Sequence, residues 1–474
     1  MKAVFAGALA LAVTAACAVP PRPISSALDA EPGWSGDANA FLEAVWRDDE
    51  PGVSVVVARD GRIVYARGRG LADIDDGTPI TPDTVFRLGS ITKQFTAAVA
   101  LQLAEEQRLS LDDPLSEFLP AFPEPGATAT VRQLLNHTSG VQSYTSIPGW
   151  MVEANTDRPY STDELIAVFK DLPPPAEPGR AWTYNNSGYV LAGAVIEAVT
   201  DRPWHEAVEA RIALPHGLET LDYGGAEPGG KVMATGYTRG ADGPQPAGRI
   251  HPSAAHAAGS LIGSAPDLAR WAQALHNGGV LAPESYALMV APTELPDGTS
   301  VPYGLGIGLL EIRGRRAIGH AGGIYGFSSD SAYLPDENLF VAALANSDSP
   351  PMPLDVLLRR LAGWALDEPY AYLPARDVDP AALNALFGEY AGEMTVRFYA
   401  EDGKLYAQPG GRPAIEAFAA GDDQFSFGPG RLTWFEIERA ADGAHVMTVH
   451  TPDTSEPERY VRKADGRGVP LAEG

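Results

Sequence analysis

The sequence is poor in cysteine, in positive charge and in long apolar runs, and each shortage excludes a class of protein. Its one cysteine, Cys17, excludes internal disulfides, cysteine-rich zinc sites and iron–sulfur ligation. Lysine and arginine number 35 against 61 acidic residues, a net charge of −26. Because no basic run offsets this charge, nucleic-acid binding is excluded. No apolar run reaches the length of about 18 residues that a membrane-spanning helix needs.

The composition is that of a folded protein. Of the 474 residues, 45% are hydrophobic and 20% are charged, proportions that are typical of globular domains. At about 100–200 residues per domain, this length predicts two to four domains with large buried cores.

The N-terminus has the pattern of a secretory signal. After a basic start, residues 3–16 are mostly apolar, and small residues follow at Ala16-Cys17-Ala18. This pattern predicts a signal peptide over residues 1–18, followed by a Pro- and Ser-rich linker over residues 19–37. A lipoprotein interpretation with a lipid on Cys17 stays open, although such sites usually carry leucine where Thr14 stands. Both interpretations predict an exported protein, either periplasmic or secreted, and the second adds membrane anchoring.

Hydrophobic periodicity divides the rest of the chain into two regions. Residues 38–370 mix helical and strand patterns, including a hairpin at 53–65, a buried helix at 90–106 and an antiparallel meander at 317–344. Further helices are predicted over residues 38–45, 189–199, 267–276 and 359–366. After a proline-containing loop, residues 381–468 alternate short strands with glycine turns, which predicts a small antiparallel β-barrel.

The strongest local signal is Ser90-Ile91-Thr92-Lys93 at the start of the predicted helix. Residues three apart share a helix face, which brings the Lys93 ammonium group back toward the Ser90 hydroxyl. A serine hydroxyl is a weak nucleophile until a base removes its proton, and a desolvated lysine is such a base. The chain has only six lysines and one such pair. The alternative is an N-capping serine followed by a solvated lysine.

A second motif is Tyr184-Asn185-Asn186, which lies on a polar segment before a helix. Tyr184 is a candidate general base, as a phenolate or by proton exchange with Lys93, and a candidate proton donor to the leaving group. Asn186 is a candidate donor to a substrate carbonyl and a partner for the lysine. The alternative is a set of polar loop residues that only cap the helix.

A third motif is Gly319-His320-Ala321-Gly322-Gly323, at a strand change. Glycines in place of strand side chains indicate close approach of another backbone or a ligand. The N–H groups of Gly323 and Ser90 are therefore candidate donors to an oxyanion. His320 is a candidate polar or cationic group beside the reacting centre, or else a hydrogen-bonded turn histidine.

The order of these motifs resembles that of the penicillin-recognising serine hydrolases, the group of class C β-lactamases, D-alanyl-D-alanine carboxypeptidases, D-aminopeptidases and related esterases. Further matching segments are Phe86-Arg87-Leu88-Gly89, Leu134-Leu135-Asn136-His137-Thr138-Ser139-Gly140 and Gly326-Phe327-Ser328-Ser329. The resemblance implies an α/β, β-lactamase-like fold: a helical domain on an α/β domain with an antiparallel sheet, the active site between them, and an acyl-enzyme on Ser90. It also implies that residues 137–140 form a structural turn, and that the C-terminal region is a lipocalin-like barrel.

One departure from the family bears on the substrate. Many β-lactamases of this group carry Lys-Thr-Gly where this chain has His320-Ala321-Gly322, and the loss of the lysine weakens the hold on a substrate carboxylate. We therefore expect peptides or amides of D-amino acids as substrates, with a simple esterase second and a β-lactamase third. The expected partner is a small molecule or short peptide. No cofactor or metal is expected, and the oligomeric state stays open.

Other functional classes fit less well. No serine has glycine at both −2 and +2, so the G-x-S-x-G elbow of α/β hydrolases is missing. His205-Glu206 lacks the second histidine of a zinc motif, and His251 with His256 lacks the carboxylate. A non-catalytic scaffold that keeps the fold remains an alternative, and the intact Ser90–Lys93 pair argues against it.

Overall fold

The computed structural model describes residues 31–225, 230–421, 423–428, 431–441, 443–452 and 456–463. The predicted signal peptide, with Cys17, and residues 19–30 of the predicted linker lie outside these ranges. Among the residues described, every helix falls short of the length and apolar character that crossing a bilayer demands.

Helices and short strands alternate along the described residues up to 365. The α-helices are α1 (Ser35–Val45), α2 (Thr92–Glu105), α3 (Val131–Leu135), α4 (Glu153–Thr156), α5 (Thr162–Ala167), α6 (Asn186–Thr200), α7 (Trp204–Val208), α8 (Leu214–His216), α9 (Pro252–Ala255), α10 (Ala265–His276), α11 (Pro283–Met289) and α12 (Leu354–Ala365). The strands are β1 (Val53–Arg59), β2 (Arg62–Arg69), β3 (Leu71–Asp73), β4 (Thr78–Pro79), β5 (Phe86–Arg87), β6 (Asp222–Tyr223), β7 (Tyr237–Gly240), β8 (Gly243–Pro246), β9 (Leu261–Gly263), β10 (Thr293–Glu294), β11 (Ser300–Val301), β12 (Gly308–Ile312), β13 (Arg315–Gly319), β14 (Gly322–Ile324), β15 (Phe327–Leu334) and β16 (Leu339–Ala345).

An antiparallel sheet forms the frame of this region. Its strand order is β12-β13-β15-β16-β1-β2, and β14 pairs with β15 beside that path. The predicted hairpin is β1–β2, and the predicted meander is β13, β15 and β16. The sheet joins the two ends of the region, because β1 near its start pairs with β16 near its end.

Both faces of the sheet are covered by helices. Side chains alternate between the faces of a strand, and in β1 the residues Val53, Val55 and Val57 pack with α1 and α12, whereas Val56 and Ala58 belong to the helical core on the other face. A strand buried on both sides is apolar throughout, which explains the sequence Val-Ser-Val-Val-Val-Ala. This β-lactamase-like architecture confirms the predicted fold class.

The helix α2 runs through the larger core, and its polar side chains are paired there. Thr96 donates to the backbone oxygen of Ala257 at 2.9 Å, and Gln94 accepts from the indole of Trp271 at 2.9 Å. Buried polar groups that keep hydrogen-bond partners avoid a penalty of about 1–3 kcal/mol each. These two hydrogen bonds fix the N-terminal half of α2, which follows the serine turn, to the surrounding segments.

The C-terminal region is a closed antiparallel barrel of strands β17 (Gly388–Ala391), β18 (Thr395–Glu401), β19 (Lys404–Pro409), β20 (Ile415–Ala419), β21 (Gln424–Ser426), β22 (Trp434–Arg439), β23 (His445–His450) and β24 (Glu458–Arg462). The rings of Phe398, Phe425 and Phe435 pack inside it with centroids 4.8 to 5.3 Å apart. The predicted barrel is confirmed. Strand patterns had not indicated β17, β20 and β24, which are short, alanine-rich or charged.

A segment after α12 packs against that helix. Arg360 of α12 is 2% exposed, and its guanidinium donates to the backbone oxygens of Tyr370 and Ala371 at 3.3 and 3.2 Å. The same group lies 5.0 Å from the ring centre of Phe41 and 5.6 Å from that of Tyr372. Residues 370–372 thus pack with the domain that precedes them.

Candidate active site

Ser90 lies in a 3₁₀ turn, Gly89–Ile91, that leads into α2. Gly89 has a φ of +53°, which favours glycine. A Cβ on Gly89 would lie 2.9 Å from the backbone nitrogen of Gly323 in β14, closer than Cβ atoms occur. The predicted helix is present, but its α-helical part begins at Thr92, so the nucleophile candidate stands in the tighter turn against the sheet edge.

Lys93 is completely buried and lies at the centre of the site. Its Nζ is 3.0 Å from Ser90 Oγ, 2.8 Å from Asn186 Oδ1 and 2.7 Å from the backbone oxygen of Ala258. Burial lowers the pKa of Lys93 well below its usual range. The helical spacing therefore brings the amine to the serine, as the sequence predicted, and in an environment that favours the neutral amine.

Asn186 is the first residue of α6, and both the oxygen and the nitrogen of its side-chain amide form hydrogen bonds. Its Oδ1 accepts from Lys93, and its Nδ2 donates to Thr145 Oγ1 at 3.0 Å. Its backbone N–H donates to Ser143 Oγ at 3.2 Å, and that hydroxyl is also 3.1 Å from Thr145 Oγ1. These contacts set which end of the amide faces the lysine. The sequence predicted Asn186 but not its two hydroxyl supports.

Tyr184 contacts both members of the serine–lysine pair. Its ring centre lies 4.8 Å from Lys93 Nζ, and the Ser90 side chain is near enough to its hydroxyl to act on its pKa. Burial raises the pKa of Tyr184, and the Ser90 contact only partly opposes the shift. The phenol therefore favours the protonated form. The neighbouring turn supports this loop, because His137 Nδ1 accepts from the backbone N–H of Asn185 at 3.0 Å.

The glycine pair of β14 lies against the backbone of the serine turn. A Cβ on Gly322 would clash with Leu88 O and Ser329 Oγ and would lie 3.1 Å from the backbone nitrogen of Ser90. Gly323 has open space where a Cβ would be, and it lines the same pocket as Ser90. The close approach of another backbone that the glycine pattern indicated is therefore present at Gly322.

His320 precedes these glycines in the chain, and both of its ring nitrogens have a hydrogen-bond partner. Its Nε2 is 2.9 Å from Tyr303 Oη, and its Nδ1 is 2.5 Å from the backbone oxygen of Ala321. Burial lowers the pKa of His320 to about 3. The geometry therefore favours a neutral, hydrogen-bonded histidine over the cationic group, and His320 is not among the residues that line the pocket.

A pocket of about 330 Å³ opens over Ser90. Its described lining consists of Ser90, Tyr144, Thr145, Met151, Asn186, Ile250, Ala255, Ala258, Gly259, Gly323, Ile324, Tyr325, Phe327, Ser328 and Asp348. All of these lie between positions 90 and 348, so the barrel contributes none of them. No pattern in the sequence had singled out Asp348 or the backbone oxygen of Ala258.

Comparison with known proteins agrees with this geometry. A sequence profile described as Beta-lactamase matches residues 38–363. The chain belongs to the Beta-lactamase family. The match confirms the resemblance to penicillin-recognising serine hydrolases, and it contains every residue placed in the site.

The proteins similar to this chain include a penicillin-binding protein, a peptidase and an amidase. Penicillin-binding protein 4* of Bacillus subtilis is 26% identical over 78% of this chain and 87% of its own length. A D-aminopeptidase of Brucella anthropi is 26% identical over 73% of this chain and 69% of its own. The structure of a D-amino acid amidase from Ochrobactrum anthropi SV3 with D-phenylalanine, 26% identical, covers 70% of this chain and 99% of the amidase at a TM-score of 0.60. This Beta-lactamase family protein is a serine hydrolase.

Proposed function

We propose that the protein hydrolyses amides and short peptides of D-amino acids through an acyl-enzyme on Ser90. The observation that carries the mechanism is the set of partners around Lys93 Nζ. Two of them, Asn186 Oδ1 and the backbone oxygen of Ala258, are acceptors only. A neutral amine has two N–H groups and one lone pair, so these acceptors take both hydrogens and the lone pair is left for the Ser90 hydroxyl.

Lys93 is then the base in the first step. It takes the proton as Ser90 Oγ attacks the substrate carbonyl carbon, and the N–H groups of Ser90 and Gly323 hold the oxygen that becomes negative. Removing one such donor typically costs about 100- to 1,000-fold in rate. Because burial lowers the pKa of Lys93 and raises that of Tyr184, we give the base role to the amine rather than to a phenolate.

Tyr184 is the proton donor to the leaving group. The Lys93 amine lies against its ring, and the Ser90 side chain lies near its hydroxyl. We therefore assign to the phenol the proton that goes to the departing nitrogen, with Lys93 returning the proton it took from Ser90. Water then attacks the serine ester, with the proton path reversed, and releases the acid. His320, neutral and bonded to Tyr303, supports the wall behind Tyr184.

The substrate class rests on the relatives and on the pocket lining. A D-aminopeptidase and a D-amino acid amidase are among the related proteins. None of the described residues that line the pocket is lysine or arginine, so a substrate carboxylate meets no cationic partner there. This charge pattern favours amides and peptides of D-amino acids over penicillins, which carry a carboxylate.

The test combines active-site labelling with a substrate panel. A fluorophosphonate probe should label the wild-type protein, and Ser90→Ala should lose the label while it keeps the wild-type melting temperature. D-Alanine p-nitroanilide should be hydrolysed with a higher kcat/KM than its L-enantiomer and than nitrocefin. A higher value for p-nitrophenyl acetate alone, with no anilide turnover, would assign the protein as an esterase.

We also propose export through the N-terminal segment. Its support is the sequence pattern of residues 1–18. The mass of the mature protein distinguishes the two kinds of processing: cleavage after Ala18 leaves an unmodified N-terminus, whereas a lipoprotein begins at a lipidated Cys17. Retention of the full-length chain in the cytoplasm would contradict both.

A further inference from the structure

The active-site pocket has a single charged residue in its described lining, Asp348. Its carboxylate accepts from the backbone N–H of Gly326 at 3.3 Å and from the hydroxyl of Ser349 at 3.2 Å. Neither donor is a cation. Since a carboxylate offers about four acceptor sites, these two bonds leave capacity for a ligand on an exposed side chain.

The sheet register places this carboxylate at the end of the strand pair that carries Gly323, in the same pocket as Ser90. Gly323 pairs with Ser328, and Ser328 pairs with Ala345 at the end of β16, three residues before Asp348. The bond to Gly326 holds the carboxylate at the turn between β14 and β15. Because an extended chain rises about 3.3 Å per residue, the backbone nitrogens of Gly326 and Gly323 are at most about 10 Å apart.

The pocket wall between these points is apolar and aromatic. Ile324, Tyr325 and Phe327 line it, and Met151 lies in the same lining. Apolar walls lower the local dielectric constant, which strengthens an ion pair relative to one on an open surface. Aromatic faces also attract cations. A cationic group would therefore find both a charge partner and a compatible wall.

We propose that Asp348 is a specificity-determining residue that binds the free ammonium group of the substrate. The selected substrates are D-amino acid amides and short peptides with an unblocked amino group near the scissile carbonyl, in preference to N-acylated or amine-free analogues. This inference rests on the proposed function for its substrate class. The same carboxylate disfavours substrates that carry a negative charge in this position.

The test uses esters, so that it holds whether or not amides are turned over. The kcat/KM values for D-phenylalanine methyl ester and methyl 3-phenylpropanoate, which differ by the ammonium group, are measured for the wild type, Asp348→Asn and a control, Asp336→Asn. Asp336 is an exposed carboxylate in the turn before β16, outside the pocket lining. Asparagine keeps an acceptor for the Gly326 N–H and removes only the charge.

Asp348→Asn should lose roughly tenfold in kcat/KM for the ammonium ester, because a hydrogen bond to a charged partner contributes about 1.5–3 kcal/mol, reduced here by solvent exposure. The loss should lie mainly in KM, with the amine-free ester and the control variant unchanged. In the wild type, about 1 M salt should diminish the preference, since the screening length falls to about 3 Å.

Equal losses on both esters, or no loss on either, would overturn the role of Asp348, and so would a wild-type preference that is insensitive to salt. If Asp348→Asn fails to fold, the same ester comparison is made with Asp348→Ser, which also lacks the charge. Failure of the proposed function has a different signature: no hydrolysis of D-phenylalanine amide, while the two esters still distinguish the wild type from the variant.

Discussion

Gly322 is the position where one added methyl group should disable the site without touching any catalytic side chain. A Cβ there would clash with the backbone oxygen of Leu88 and with Ser329 Oγ, and would lie 3.1 Å from the Ser90 nitrogen. Since the interior is close-packed, Gly322→Ala must push β14 away from the serine turn by roughly 1 Å. The Gly323 N–H moves with the strand, so the two oxyanion donors separate.

The expected cost has two parts. Overpacking costs about 1–3 kcal/mol, and the lost hydrogen bond from Ser329 Oγ to Leu88 O, which is 2.8 Å long, costs about 1 kcal/mol more. The free energy of unfolding should therefore fall by about 2–4 kcal/mol in total. A misplacement of about 1 Å at reacting groups can cost 100-fold in rate. We expect kcat to fall by about this factor.

The assay measures two quantities. The melting temperature reports stability, and the burst of nitrophenolate released from p-nitrophenyl acetate reports the rate of acylation. Gly323→Ala is the matched control for folding, because its Cβ meets nothing within 4 Å, and it should melt at the wild-type temperature. If Gly322→Ala showed both the wild-type melting temperature and the wild-type burst rate, the close approach of β14 to the serine turn could not be what aligns the oxyanion donors.

Four further predictions concern the proton path and the domain arrangement. Tyr184→Phe should lower kcat by about two to four orders of magnitude, the range of a general acid–base group, at an unchanged melting temperature, and near-normal turnover would refute the donor role. Asn186→Asp puts a carboxylate beside the amine and raises the pKa of Lys93, so the rise of kcat/KM with pH should move to higher pH; an unmoved profile would exclude Lys93 as the base. A fragment of residues 31–375 should keep the wild-type rate of fluorophosphonate labelling, because every described pocket residue precedes position 349. A fragment that ends at residue 368 should melt at a lower temperature, since Arg360 loses two carbonyl partners; equal melts would contradict that packing.

Short-range patterns were sufficient to predict much of the fold. The apolar run of β1 and the apolar repeat of α2 are local signals, and each produced the expected element. The serine–lysine contact was predictable for the same reason, because it depends only on helical spacing. In the barrel, β20 and β24 escaped prediction because they owe their pairing to neighbouring strands rather than to their own composition.

The rest of the site depends on contacts between distant segments. The third partner of Lys93 is a main-chain oxygen 165 residues away, and no side-chain pattern marks such a group. Asp348 reaches the pocket only because β16 lies beside β15. For His320 the motif was visible, but its charge state was not, since that depends on burial and on Tyr303.

The carbonyl of Ala258 has a consequence for how the activity can vary under mutation. Because it belongs to the main chain, no substitution at position 258 deletes it as an acceptor for the Lys93 amine. The other acceptor, on Asn186, belongs to a side chain and is open to replacement by a single codon change. Of the two acceptors that face the amine, one is thus fixed by the path of the main chain, and the other can be changed by substitution. Variants with a different pH range are most accessible through position 186 and the hydroxyls behind it.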